Sequence, residues 1–281
     1  MKHDISHLPC ILFVPGHKPQ LFDKAIATSA PAVVIDLEDA VSPEHKNEAR
    51  ISVKKWFNKF KPEHKIVGVR INHPSTRFGL QDMAIFFDDG STPDFIVLPK
   101  VEHAVEVQLI HKLSGSIPLI CIIESALGLI RAHDIATSAA SVCALGFGGA
   151  DLAADLRVAF EWEPLAHARS TVAQAAAAAG IGAIDVPWLV LDDLQGLEIE
   201  ARRSKSFGFT GKFSIHPRLV DQTVAAFLPS KDEWEYAKAM LEAFNVSESG
   251  VKIFKGKMID EALLRSSRRI MALTKMWRGD K

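Results

Sequence analysis

Leu119-Ile120-Cys121-Ile122-Ile123-Glu124 and, after a helix-forming stretch, Val142-Cys143-Ala144-Leu145-Gly146-Phe147 with its continuation Gly148-Gly149-Ala150-Asp151, form the passage that decides the fold. Each run is apolar without period-two alternation, so each reads as a strand buried on both faces, as in a parallel sheet covered by helices. Each also leads into a carboxylate. A strand of this kind delivers its last polar group to the carboxyl-terminal edge of the sheet, where α/β enzymes build their sites.

Working outward, the same pattern recurs. Strand-like runs are read at Ile11 to Val14, Ala32 to Leu37, Ile66 to Ile71, Phe95 to Leu98, Leu119 to Ile123, Val142 to Phe147, Ala183 to Val186 and Lys212 to Ile215. Helical spacing or composition lies between them at Lys18 to Ser29, Pro43 to Phe60, Glu102 to Leu113, Gly128 to Ala139, Pro164 to Ala179 and Leu194 to Phe207. Phe78-Gly79-Leu80 reads as a loop turning into a helix. Gly180 and Gly208 stand where helices stop, and Pro43 sits after Ser42 where a first turn tolerates it. Eight βα units are what a TIM (β/α)8 barrel requires; a doubly wound sheet is the alternative. The expected barrel covers 8–228. Residues 229–281 form a C-terminal helical extension, with helices at Lys231 to Phe244 and from about Glu261 to Trp277, expected to serve as lid or oligomer contact.

Composition narrows the function. The chain has 281 residues, 48% hydrophobic and 24% charged, with 33 basic against 34 acidic residues and a net charge of −1. No long-range field points to nucleic acid or an anionic membrane, so specificity is expected to be local. Cys10, Cys121 and Cys143 have no metal-ligand spacing, and two of them lie inside apolar runs, which fits a reducing cytoplasm. The apolar run after the amino terminus is stopped by Pro15-Gly16, too soon for a signal peptide or a membrane span.

The charges that follow strand runs are the candidates for chemistry. Glu124 and Asp151, read as ending the fifth and sixth strands, put two carboxylates on one rim; that suits magnesium completed by substrate oxygens and water, and equally suits structural salt bridges. Arg70 can hold a carboxylate bidentately, or pair with Glu38 or Asp39, or do both. Gly146 to Gly149 is glycine-dense enough to bring backbone N–H groups to an anion or simply to relieve crowding in a barrel; its spacing excludes dinucleotide and triphosphate loops. Most of the eleven histidines lie in polar stretches. His216, after the eighth strand, reads as a ligand contact or as a loop fixed by hydrogen bonds. No histidine is placed near Ser125 or Cys121 to build a nucleophile. Lys100 has no assigned role.

The ordered segments Leu12-Phe13-Val14-Pro15-Gly16, Ile35 to Val41, Val69 to Asn72, Leu98 to Glu102, Ile123 to Ala126, Phe147 to Asp151 and Gly256 to Asp260 together resemble the citrate lyase beta-subunit-like family, which includes malyl-CoA and citramalyl-CoA lyases. The resemblance runs from Leu12 to about Arg269. It implies a magnesium-dependent TIM barrel, often trimeric, that makes or breaks a C–C bond between an acyl-CoA thioester and a 2-oxo acid. By position it implies Glu124 and Asp151 as metal ligands and Arg70 as the substrate-carboxylate arginine. Phe13, Lys18, Lys24, Ala150, Ile215 and His216 match positions near substrate or CoA. Asp260 matches an acid supplied by the tail, which in relatives closes over a neighbouring subunit's site. Pro9 and Cys10 replace an arginine and a serine common in relatives, Lys18 replaces an arginine found in some, and Ala150 replaces a common glutamate. The expected activity is cleavage of citramalyl-CoA or malyl-CoA. Its rivals are a citrate lyase beta subunit acting on an acyl-carrier protein, a thioesterase or malate-synthase-like enzyme, and a non-catalytic scaffold.

Overall fold

The computed structural model describes residues 5–59, 64–87, 93–115, 117–245 and 252–278. The chain divides into two compact units, one ending at Val224 and one beginning at Ala225. His3 and the Ser247-Glu248-Ser249-Gly250 stretch lie outside the described residues.

In the first unit, β1 (Cys10–Pro15), α1 (Phe22–Ile26), β2 (Ala32–Asp36), α2 (Lys46–Lys59), β3 (Ile66–Arg70), α3 (Arg77–Phe86), β4 (Phe95–Leu98) and α4 (Ala104–Leu113) make the first half. The second half is β5 (Leu119–Ile123), α5 (Ala126–Ile130), α6 (Ala132–Ala136), β6 (Val142–Phe147), α7 (Gly149–Leu156), α8 (Trp162–Ala179), β7 (Gly182–Asp185), α9 (Leu194–Ser206) and β8 (Gly211–Ser214), followed by α10 (Val220–Phe227), within which the division into units falls. All eight strands are parallel, each pairs with the next, and β1 closes on β8, giving a closed barrel. This is a TIM barrel, and the doubly wound alternative is excluded.

The absence of alternation in the sequence has its cause here. β2, β4, β5, β7 and β8 are buried at every position, one side chain facing the barrel interior and the next facing the helices. Each fully buried aliphatic or aromatic side chain contributes roughly 1.5–3 kcal/mol relative to exposure, so the core favours one register strongly. That register pairs Asp36 with Arg70, Leu98 with Cys121 and Ile123 with Phe147, bringing the ends of β2 to β6 to one rim.

Three local readings are refined. The expected helix Gly128 to Ala139 is two five-residue helices, α5 and α6, because the backbone at Arg131 leaves the helical range (ψ 10°). Asp151 does not end β6, which stops at Phe147; it lies in the first turn of α7. The barrel also uses buried charge, since Asp185 on β7 pairs in register with Lys212 on β8. Gly180 ends α8 in the left-handed conformation (φ +70°), as its position in the sequence predicts.

The second unit holds α11 (Lys231–Asn245), an antiparallel pair β9 (Lys252–Phe254) and β10 (Lys257–Ile259), and α12 (Glu261–Arg278). Met240, Ile259 and Leu264 form its core, flanked by Tyr236, Leu241, Phe244 and Phe254. Among the described residues no helix is long and apolar enough to cross a membrane.

Candidate active site

The carboxyl-terminal rim is built outward from one buried aspartate. Asp36, the last residue of β2, accepts the backbone N–H groups of Glu38 (2.9 Å) and Ala40 (3.1 Å), which folds the turn after the strand back onto the rim. The same carboxylate receives Arg70 Nε at 2.7 Å and Nη2 at 2.6 Å, a bidentate pair set up by the Asp36–Arg70 register. Arg70 Nη1 lies 3.0 Å from Glu38 Oε2, and the guanidinium stands over the Phe13 ring at 4.9 Å. A guanidinium has five N–H donors, so these contacts leave two uncommitted. Burial opposes its charge, but Asp36, Glu38 and Asp39 outweigh that and push its pKa further up. It is a fixed cation in the cavity lining, with Asp39 Oδ2 a further 3.8 Å from Nη1.

Glu124 follows β5 and is 7% exposed. Its Oε1 accepts the Lys100 backbone N–H at 2.5 Å. On the other side the carboxylate rests on the backbone at Gly148, where a Cβ would stand 2.4 Å from Glu124 Cβ and 2.7 Å from its Oε2. Of the two readings of this glycine cluster, making room is the one the geometry supports at Gly148: the absent side chain is the space Glu124 occupies. Burial is the main reason the Glu124 pKa is pushed up to about 8; neighbouring Glu38 and Asp151 add to it, while Lys100 pulls the other way. Burial also raises the pKa of Glu38, against the pull of Arg70.

A cavity of about 440 Å³ opens over these groups. Phe13, Arg70, Glu124, Ala150, Asp151 and Ile215 line it together with Asp36, Asp39, Phe147, Phe160, Leu189 and Phe213, so a cluster of charge faces a largely apolar wall. Lys18 and Lys24 are exposed at the β1 end and are not part of that lining. His216 is likewise outside it; its Nδ1 accepts the Arg218 backbone N–H at 3.2 Å and holds the turn after β8. Asp260 belongs to the second unit, where its Oδ1 accepts the Leu263 N–H at 2.9 Å and caps α12.

Two participants escaped the sequence reading. Asp36 was available as a signal, since aligning the ends of the second and third parallel runs places it beside Arg70. Lys100 was not, because its contribution depends on a left-handed backbone (φ 53°) that no local pattern announces in a lysine.

The donor set fits a hard divalent cation. Arg70 and Lys100 pair with Asp36, Glu38 and Asp39, and Glu124 and Asp151 stand as further carboxylates at the same rim without a salt-bridge partner among the described residues. Among the described residues no group of three or more acidic, histidine or cysteine side chains forms a metal cage. An ion held there by Glu124 and Asp151 would complete its shell with water and substrate oxygens, which is magnesium's habit.

A closed parallel barrel with a carboxylate pair and an anchored arginine at its carboxyl-terminal rim has the layout of a TIM-barrel enzyme. Residues 10–217 match the HpcH/HpaI aldolase/citrate lyase family. The chain belongs to that family, and with it to the carbon–carbon lyases. It is 32% identical over 277 residues to a (3S)-malyl-CoA thioesterase of Cereibacter sphaeroides, covering 97% of this chain and 96% of that one. It is 30% identical over 300 residues to an L-malyl-CoA/beta-methylmalyl-CoA lyase of the same species, covering 95% and 94%. Among solved structures it resembles CitE of Mycobacterium tuberculosis, determined in complex with magnesium, acetoacetate and coenzyme A, with TM-score 0.81, 30% identity and coverage of 94% and 97%.

Proposed function

We propose that this chain is a magnesium-dependent lyase that cleaves a 3-hydroxyacyl-CoA of the malyl-CoA or citramalyl-CoA type into acetyl-CoA and a 2-oxo acid. The observation that carries the reading is that Arg70, Glu124 and Asp151 line one cavity with an apolar wall. A small oxo acid and an acyl chain need those two surroundings side by side.

Glu124 and Asp151 would hold the metal, whose charge, when bound, acidifies the substrate hydroxyl and draws the neighbouring carboxylate into place. Arg70 binds the oxygen on which negative charge develops as the C–C bond breaks, and Asp36 and Glu38 keep its guanidinium in position so that no reorganisation is required at that moment. Phe13, Phe147 and Phe213 exclude water from the breaking bond, which strengthens each of these charge interactions. The C–C electron pair moves to the thioester as an enolate. Asp260, supplied by a neighbouring copy of the chain, gives its proton to that carbon; the hydroxyl proton is released to solvent, from which Asp260 is reprotonated, so no net proton is gained or lost. Phe13, Ala150 and Ile215 shape the cavity for the acyl group, while Lys18, Lys24 and His216 are assigned to the CoA moiety outside it.

A hydrolytic variant is the second reading, favoured by the likeness to a malyl-CoA thioesterase. The products separate the two. Incubation with magnesium and malyl-CoA or citramalyl-CoA is expected to give glyoxylate or pyruvate in step with acetyl-CoA, and no free thiol beyond background. Free CoA with malate or citramalate, and no oxo acid, would replace the lyase reading with the hydrolytic one.

A further inference from the structure

Lys100 binds both halves of the rim, and nothing in the reaction described above uses it. It lies between β4 and α4, in neither a helix cap nor a hairpin turn, yet its backbone is left-handed at φ 53°. Glycine is the residue that adopts this conformation without steric cost. A lysine there has a use for its side chain. The twist points its N–H at Glu124 Oε1, 2.5 Å away, while its ammonium bonds Glu38 Oε1 and reaches Asp39 Oδ1 at 3.3 Å. Glu38, through its other oxygen, lies 3.0 Å from Arg70 Nη1. One residue is therefore joined by its main chain to the carboxylate assigned to magnesium and by its side chain to the carboxylate that steadies the arginine.

We infer that Lys100 is a positioning residue that fixes the distance and orientation between Arg70 and Glu124, and so between the donor to the developing oxyanion and the carboxylate assigned to magnesium. The inference rests on the lyase reading. It explains the choice of residue: glycine would supply the backbone turn without the ammonium, and a lysine on an ordinary backbone would hold Glu38 while leaving Glu124 Oε1 without its N–H.

The test uses the full chain with magnesium and the thioester that wild-type protein cleaves. Lys100→Met, which keeps the aliphatic stem and removes the charge, is expected to lower kcat about 10- to 100-fold, the usual size of a loss in the shell that orients metal ligands, with KM for the thioester changed less than about threefold. Lys100→Arg, which restores a cation to Glu38, is expected to recover most of kcat. Lys100→Gly keeps the backbone turn and serves if Lys100→Met fails to fold; it is expected to be as slow as Lys100→Met. A kcat within about twofold of wild type in folded Lys100→Met or Lys100→Gly overturns this inference and leaves the lyase reading standing. Equal losses in Lys100→Arg and Lys100→Met, with matching falls in thermal stability, reduce Lys100 to a structural role and overturn it too. A wild-type protein that cleaves no such thioester overturns both readings together.

Discussion

Two charge clusters in the barrel are made from the same residue types and have opposite character. Under α8 and α9, Asp185 receives Lys212 Nζ at 2.8 Å, Arg169 Nε at 3.1 Å and Ser204 Oγ at 2.5 Å, and Lys212 also meets Glu200 at 2.7 Å. Two cations face two carboxylates there. Burial pushes the Asp185 pKa up, but Lys212 and Arg169 outweigh it and the net direction is down. At the rim, Arg70 and Lys100 pair with Asp36, Glu38 and Asp39, while Glu124 has Asp151 as a further acidic neighbour and is pushed up to about 8. The first cluster is balanced in charge, although Arg169 Nη1 is buried without a hydrogen-bond partner among the described residues. The second holds more carboxylates than cations, one of them, Glu124, held toward its protonated form by burial.

The comparison can be broken from either side. The largest effect belongs to the neutral cluster: Asp185→Ala leaves Lys212 and Arg169 buried without their shared carboxylate and is expected to cost about 3–5 kcal/mol, seen as a fall in Tm on the order of 10 °C. Turnover per folded molecule should be unchanged. Strong acid also weakens this cluster. Because the Asp185 pKa is lowered on folding, its contribution is present above the unfolded value near 3.8 and is lost as the pH falls through the folded value. Glu124 has the reverse sign: without metal, its contribution is present below about 4.5 and lost as the pH rises through about 8.

Next in size is Arg70→Ala, expected to lower kcat about 10²- to 10³-fold, the worth of one preorganised donor at the transition state, together with a fall in Tm, because the buried Asp36 loses its bidentate partner. A loss of stability without a loss of turnover would make Arg70 a member of the neutral kind of cluster. The smallest effect is Gly148→Ala, whose new Cβ would meet Glu124 at 2.4 Å. Magnesium affinity, followed by calorimetry, should fall about 10-fold as the carboxylate is displaced. Unchanged affinity would mean that Glu124 does not need that space.

The barrel was legible because burial on both faces leaves a direct trace in the sequence, and all eight strand runs from Ile11 to Ile215 correspond to β1 to β8. Glu124 and Arg70 were legible for the same reason, as charges that interrupt apolar runs at their ends. Asp185 and Lys212 were not, because each sits within a run read as apolar and acquires meaning only when β7 and β8 align. The start of α7 was masked by Gly148-Gly149, which propensity reads as loop although the close approach to Glu124 requires it. The β9–β10 pair was hidden by its length, three residues a strand, too short for periodicity to show.

The most direct measurement is a calorimetric titration of the metal-free protein with magnesium at pH 7, repeated in buffers of different ionisation enthalpy. Glu124, with its pKa pushed up to about 8, is mostly protonated at that pH and must ionise to ligate a metal. The account predicts uptake of one ion per chain with release of close to one proton, both lost in Asp151→Asn. Magnesium uptake with no proton release, or uptake undiminished in Asp151→Asn, would contradict it.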